Sequence, residues 1–259
     1  MEIYHYFRSS LSTENQRSVL VRVIVPPSED SRNNIIKATN SQTNIPPTSL
    51  RATDRIQSDI EQFFEAKGLY YDRRKNYHKN LGRPMDRIIS IPYLAQAVMA
   101  IVLQEPNNSR GRPSSLIKIN DDYKRVFSEH YPIALYVECI QLMRAVDTFL
   151  RSDQVPEHIS ENRSNVRFQL AMFAAAMKAK QSPISPKDLP QRQVSGIDFN
   201  YLKLCLPHVW EILEKLREAQ GVDRDRIAKS NEFDEALKVR INEILSGAIP
   251  LLSASDMTG

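Results

Sequence analysis

The stretch from Arg32 to Arg87, RNNIIKATNSQTNIPPTSLRATDRIQSDIEQFFEAKGLYYDRRKNYHKNLGRPMDR, constrains the fold more than any other part of the chain. It opens with a helical pattern holding Ile35 and Ile36. That helix must stop near Thr39 and Asn40, because Asn is a common helix terminator and Ile45-Pro46-Pro47 cannot continue an α-helix. Thr48 or Ser49 can cap a second helix, in which Ile56, Ile60, Phe63 and Phe64 fall at i, i+4, i+7 and i+8 and define one buried face. Gly68 stops it. Between the helices, Asn40, Ser41, Gln42, Thr43 and Asn44 supply donors and acceptors without a charge. After them comes a basic loop rich in tyrosine. From Lys67 to Arg87, seven bases (Lys67, Arg73, Arg74, Lys75, Lys79, Arg83, Arg87) stand against Asp72 and Asp86, a local charge of +5 in a chain whose total is +4. The remainder is therefore close to neutral.

A chain of 259 residues can bury a sizeable core, and 41% hydrophobic with 25% charged residues disfavours extensive disorder. No apolar run approaches the roughly 20 residues needed to span a bilayer, and the first residues lack a signal-peptide layout, so the expectation is a cytoplasmic protein with no membrane partner. Cys139 and Cys205 each sit inside an apolar helical pattern and read as buried thiols, with no zinc spacing. With 7 glycines the chain carries no Walker or dinucleotide pattern, and no cofactor is implied.

Glu2 to Phe7 reads as helix and Val19 to Val25 as the clearest strand, ended by Pro26-Pro27. One strand makes no sheet. Its partners are expected upstream or, weakly, from Leu69 to Tyr71 and Arg87 to Ser90, and its bare edge would invite a second copy or a partner protein. Beyond Pro92 the chain reads as helix and loop. Leu94 to Val102 forms one apolar face, Asn107 to Ser115 an exposed loop with two arginines, and Asp121 to His130 a short helix led by acids. The pattern after Pro132, from Leu135 to Leu150, is the longest. Further helical faces run over Val166 to Met177, Leu202 to Leu216, and Phe233 to Leu245, the last ending at Gly247. The predicted fold class is mainly α with a small N-terminal β element, an α+β arrangement whose C-terminal half is a helical bundle.

The segments ATNSQTNIP, SLRATDRIQ, GLYYDRRKNY and ISIPYLAQAVMAI resemble the AIPR family, named for abortive infection and phage resistance. The resemblance covers about Val19 to Phe127. It implies a phage-defence protein. A Gly-Gln-Thr type motif typical of the family has no counterpart before Val19, which implies the C-terminal part of such a domain: a fragment, a truncated copy or a short member. On this reading residues 1–130 are that part of the domain, 131–180 continue the helical core, 181–197 are a linker and 198–259 form a C-terminal helical segment.

Glu65-Ala66-Lys67 and Asp122-Tyr123-Lys124 match half of a metal-dependent nuclease pattern, but that pattern needs its groups on adjacent strands and both tripeptides lie on helical stretches. Arg125 and His130 have the spacing of the helical HEPN ribonucleases, in which arginine holds a scissile phosphate and histidine transfers protons without metal. The basic loop is the stronger candidate. Tyr70, Tyr71 and Tyr77, interleaved with Arg73, Arg74, Lys75, Lys79 and Arg83, can stack on bases and neutralise phosphates of DNA or RNA. Asn40, Gln42 and Asn44 form a second candidate, a polar turn site. The expected function is a nucleic-acid-binding or sensing module without its own catalytic centre, with the Arg125/His130 ribonuclease or a helical protein-interaction scaffold as alternatives.

Overall fold

In the computed structural model, which describes residues 23, 25–40, 51–111, 117, 119–180 and 196–251, the chain divides into two units, Met1–Gln42 and Thr43–Gly259. The first holds helix α1 (Glu29–Asn40), which carries Glu29 and Asp30 where the helix N-terminus favours negative charge. Ser28 Oγ accepts from the Ser31 N–H at 3.2 Å, and so caps the helix. Its end at Asn40 is where the helix-stop argument puts it. Of the strand expected over Val19 to Val25, only Val23 and Val25 are described; neither is in a strand, and both are exposed. The helix expected at Glu2 to Phe7, the turn residues Gln42 and Asn44, and 181–195 of the expected linker lie outside the described residues.

The described part of the second unit begins at Arg51, itself helical, and its first helix with described bounds is α2 (Arg55–Ala66). This helix starts after Asp54, later than a cap at Thr48 or Ser49 would place it, and those two residues lie outside the described range. Its buried face is Ile56, Gln57, Ile60 and Phe64. Phe63 is only half-buried, with Lys67 Nζ 5.7 Å from its ring centre, so the expected four-residue apolar face narrows to three plus a glutamine. Gly68 at φ +72° lets the chain turn left-handed, its N–H reaching Glu65 O at 2.9 Å while the Leu69 N–H reaches Phe64 O at 2.9 Å. That paired closure is the Schellman arrangement, and it aims the chain directly into a strand.

Strands β1 (Tyr70–Asp72) and β2 (Ile88–Ser90) pair in parallel, Tyr70 opposite Ile88. Two overlapping segments, Leu69 to Tyr71 and Arg87 to Ser90, were the weak candidates to partner Val19 to Val25; among the described residues they pair with each other. A parallel pair needs a crossover, and residues 73–87 provide it through the single-turn helix α3 (Tyr77–Asn80) and a 3-10 turn at Met85–Arg87. β2 runs straight into α4 (Ile91–Ile101), where Ser90 Oγ accepts from the Tyr93 N–H at 3.3 Å and Pro92 occupies the first turn.

The further helices with described bounds are α5 (Pro106–Gly111), α6 (Asn120–Val126), α7 (Ile133–Phe149), α8 (Glu157–Glu161), α9 (Arg167–Ala179), α10 (Phe199–Gln220), α11 (Arg224–Ile227) and α12 (Asn231–Leu245). α9 is the hub, packed against α4, α5, α7, α10 and α12. Every residue from Phe168 to Met177 is buried, which its alanine-rich sequence permits because small side chains let neighbours approach from all sides. Ser230 and Asp198 cap α12 and α10 through their side chains, and Gly221 and Gly247 end them with positive φ. Cys139 and Cys205 are buried free thiols in this core, and burial pushes both well above the usual thiol range.

Two readings change here. The segment after Pro106 is helical as far as Gly111 rather than an exposed loop, because it packs on α4 and α9: Ser109 is buried, and the Asn107 N–H donates to Asp234 Oδ2 at 3.0 Å. The short acidic helix stops at Val126, so it does not reach His130. The chain is mainly α, with one small parallel sheet among the described residues. No helix among the described residues is long and apolar enough to cross a membrane.

Candidate nucleic-acid interface

The crossover is held from below by side chains that the sequence marks as basic or aromatic. Tyr71 is 1% exposed, and its hydroxyl donates to Gln57 Oε1 at 2.5 Å. Gln57 Nε2 in turn donates to the Tyr123 hydroxyl at 2.9 Å, and the Arg51 guanidinium lies 4.0 Å over the Tyr123 ring. Burial raises both tyrosine pKa values well above the usual phenol range, so the chain of bonds stays protonated at every ordinary pH. Tyr71 therefore anchors β1 to α2, its ring tilted against Phe64 at 5.4 Å between centroids, and offers no free face for a base.

Arg73 is similarly occupied. Its Nη2 meets Glu61 Oε2 at 2.6 Å, and Nη1 donates to Ala52 O at 2.8 Å and Ser58 Oγ at 2.9 Å. These contacts tie the start of the crossover to α2. Asp72, also buried, accepts from the His78 N–H at 2.8 Å and so fastens the far side of the same turn. Asn76, at φ 64°, makes the left-handed step into α3 that a short polar side chain tolerates.

What remains outside is a cationic surface. Lys67, Arg74, Lys75, Lys79, Arg83 and Arg87 are all exposed. Tyr77 is 50% exposed, and Leu81 and Met85, at i+4 and i+8 from it, are 57% and 64% exposed. Tyr70 is half-buried under the Arg83 guanidinium, 4.8 Å above its ring centre. The His78 imidazole wedges between Tyr70, at 5.3 Å, and Tyr77, at 5.0 Å, and both its nitrogens are enclosed without a hydrogen-bond partner. Ring contacts, not hydrogen bonds, hold that imidazole. Of the eight residues predicted for this site, Arg74, Lys75, Tyr77, Lys79 and Arg83 are exposed on the crossover, Tyr70 is half-buried beside it, and Tyr71 and Arg73 belong to the support.

Sequence reasoning missed Glu61 and read Glu65 only as half of a nuclease pattern. They project from α2 toward the crossover and line a cleft of about 210 Å³ together with Tyr70, Tyr77 and His78. Their i, i+4 spacing places them on one side of the helix, but nothing in the sequence says that the crossover will close over that side. A wider depression of about 860 Å³ lies elsewhere, at the turn after α7. It mixes Arg151, Arg163 and Lys203 with Asp153, Glu157 and Glu161, so it presents no net field of either sign.

The Arg125/His130 pairing does not assemble as a helical site. Arg125 is engaged by Glu105 and lies 3.6 Å from Asp122, while His130 sits four residues beyond the end of α6 on an exposed turn. Asp122-Tyr123-Lys124 lies wholly on α6, Glu65-Ala66-Lys67 at the end of α2, and neither is on a strand. Asn40 is the last residue of α1; with Gln42 and Asn44 outside the described residues, no polar site can be drawn there.

A family model described as AIPR protein matches residues 1–249. The chain belongs to the AIPR family. That match runs ahead of Val19 and past Phe127, so the AIPR resemblance, read from sequence over about half of the chain, takes in the helical half as well. Membership supports a role for this AIPR chain in phage defence. No match was found among curated proteins or among solved structures.

Proposed function

We propose that this AIPR chain serves phage defence in the cytoplasm as a nucleic-acid-binding or sensing module, with the β1–β2 crossover as its contact surface and without a catalytic centre of its own. One observation carries the reading: five exposed bases (Arg74, Lys75, Lys79, Arg83 and Arg87) and an exposed tyrosine are concentrated on one short crossover whose base is locked to α2 by Tyr71 and Arg73 and closed on itself by Asp72. Cations on such a platform neutralise phosphates and release counterions, and a presented ring stacks on a base of any identity. The test is binding to single-stranded DNA and RNA over a salt series. Replacing Arg74, Lys75 and Lys79 by Gln is expected to weaken binding and flatten the slope of log affinity against log salt by about 2 to 3, at roughly 0.7–0.9 per lost contact. A wild-type chain without salt-dependent affinity at low ionic strength overturns the proposal.

A further inference from the structure

We propose that the cleft between α2 and the crossover is a nucleobase pocket selective for bases with amino donors, guanine above all; this rests on the crossover being the nucleic-acid surface. The pocket has two unlike walls. On one side stand Tyr70, His78 and Tyr77, positioned against one another by ring contacts of 5.3 and 5.0 Å. On the other stand Glu61 and Glu65, one helical turn apart on α2. Glu61 gives Oε2 to Arg73 at 2.6 Å, whereas the Glu65 side chain has no hydrogen bond or ion pair among the described residues.

At about 210 Å³ the cleft lies below the range of drug-sized sites and suits one flat ring system. Its charge pattern narrows the choice further. Arg83 covers Tyr70 at the edge of the cleft, and Arg74, Lys75 and Lys79 are exposed neighbours of the lining residues in sequence, so cations accompany a lining whose charged groups are Glu61 and Glu65. A free phosphate is repelled by the glutamates, and a cationic side chain must pass those cations. A nucleotide meets both demands: its phosphate stays with the cations and its base enters edge-first toward Glu65.

An ionised carboxylate only accepts hydrogen bonds. Guanine presents N1–H and N2–H side by side and can meet one carboxylate with two parallel bonds, the geometry that makes arginine–carboxylate pairs strong. Adenine and cytosine offer an amino group beside a ring acceptor. Thymine and uracil set their single N–H between two carbonyls, which face a carboxylate unfavourably. The expected order is guanine first and thymine or uracil last.

The test uses the full chain and fluorescently labelled 12-mers of dT carrying dG, dA, dC or dT at the centre, read by polarisation. The dG oligomer is expected to bind about fivefold tighter or more than all-dT. Glu65→Gln is expected to abolish that preference, because the amide exchanges one acceptor for a donor, while the salt slope stays unchanged. Tyr77→Ala is expected to weaken all four oligomers together. Equal binding of the four by wild type overturns the pocket and leaves the surface reading standing, as does a dG preference that survives Glu65→Gln. Binding of none of them removes both. Glu65-dependent capture of an arginine-rich peptide, with no dG preference, overturns the pocket in favour of a protein partner.

Discussion

Arg73 reaches back from the crossover to Glu61 on α2, Nη2 to Oε2 at 2.6 Å, so one arginine of the basic run serves the fold. Arg73→Gln is expected to lower stability by about 1–2 kcal/mol in a urea titration, because the pair is partly buried and two further hydrogen bonds go with it. Unlike changes at Arg74, Lys75 and Lys79, it should leave the salt slope of nucleic-acid binding unaltered. A flattened slope with unchanged stability would place Arg73 on the binding face.

Tyr71 offers the same contrast among the aromatics. Tyr71→Phe keeps the ring against Phe64 but leaves the buried Gln57 Oε1 without its donor, an expected cost of about 1–3 kcal/mol. Binding by the folded variant is expected to match wild type. A selective loss of single-strand affinity at full stability would contradict the buried placement.

Phe63 and Phe64 are neighbours in sequence and differ in burial. Phe64→Ala empties a fully buried site and is expected to cost about 3–5 kcal/mol, whereas Phe63→Ala removes a half-buried ring and is expected to cost less than half as much. Denaturant midpoints of the two variants measure this directly, and equal losses would refute the assigned helix face.

Two buried groups set opposing pH dependences. Burial pushes the Asp234 carboxyl from its ordinary 3.8 up to about 7, although the Asn107 N–H, Lys238 and Gln169 pull it down. The folded chain then holds more protons than the unfolded one between about pH 4 and 7, and stability falls as pH rises through that window. Burial, with Arg240 adding to it, pushes His208 from 6.5 down to about 4. There the unfolded chain holds more protons, and stability rises over much the same range. Asp234→Asn keeps an acceptor for Asn107 and removes the falling limb. It is expected to exceed wild type by about 2–4 kcal/mol at pH 8, with little advantage at pH 4. Urea unfolding at both pH values checks it, and parallel curves would show that Asp234 does not titrate in this way.

The sequence by itself determined the local events. The end of α1 at Asn40, the stop of α2 at Gly68, the buried thiols and the helical patterns beyond Pro92 follow from backbone preferences and apolar spacing, which act over a few residues. It also concentrated the positive charge between Lys67 and Arg87. Only the tertiary structure decided which of those residues face solvent. Tyr70 and Tyr71 alternate on a strand, so pairing β1 with β2 and packing β1 on α2 and β2 on α4 turned Tyr71 into the core and left Tyr70 at the edge. Arg73 looked free until the fold brought Glu61, twelve residues earlier, within 2.6 Å of it. Glu65 became part of a cleft only because the crossover closes over α2. Contacts of this kind join residues through the packing of separate elements, and no local pattern encodes which side of one helix another segment will cover.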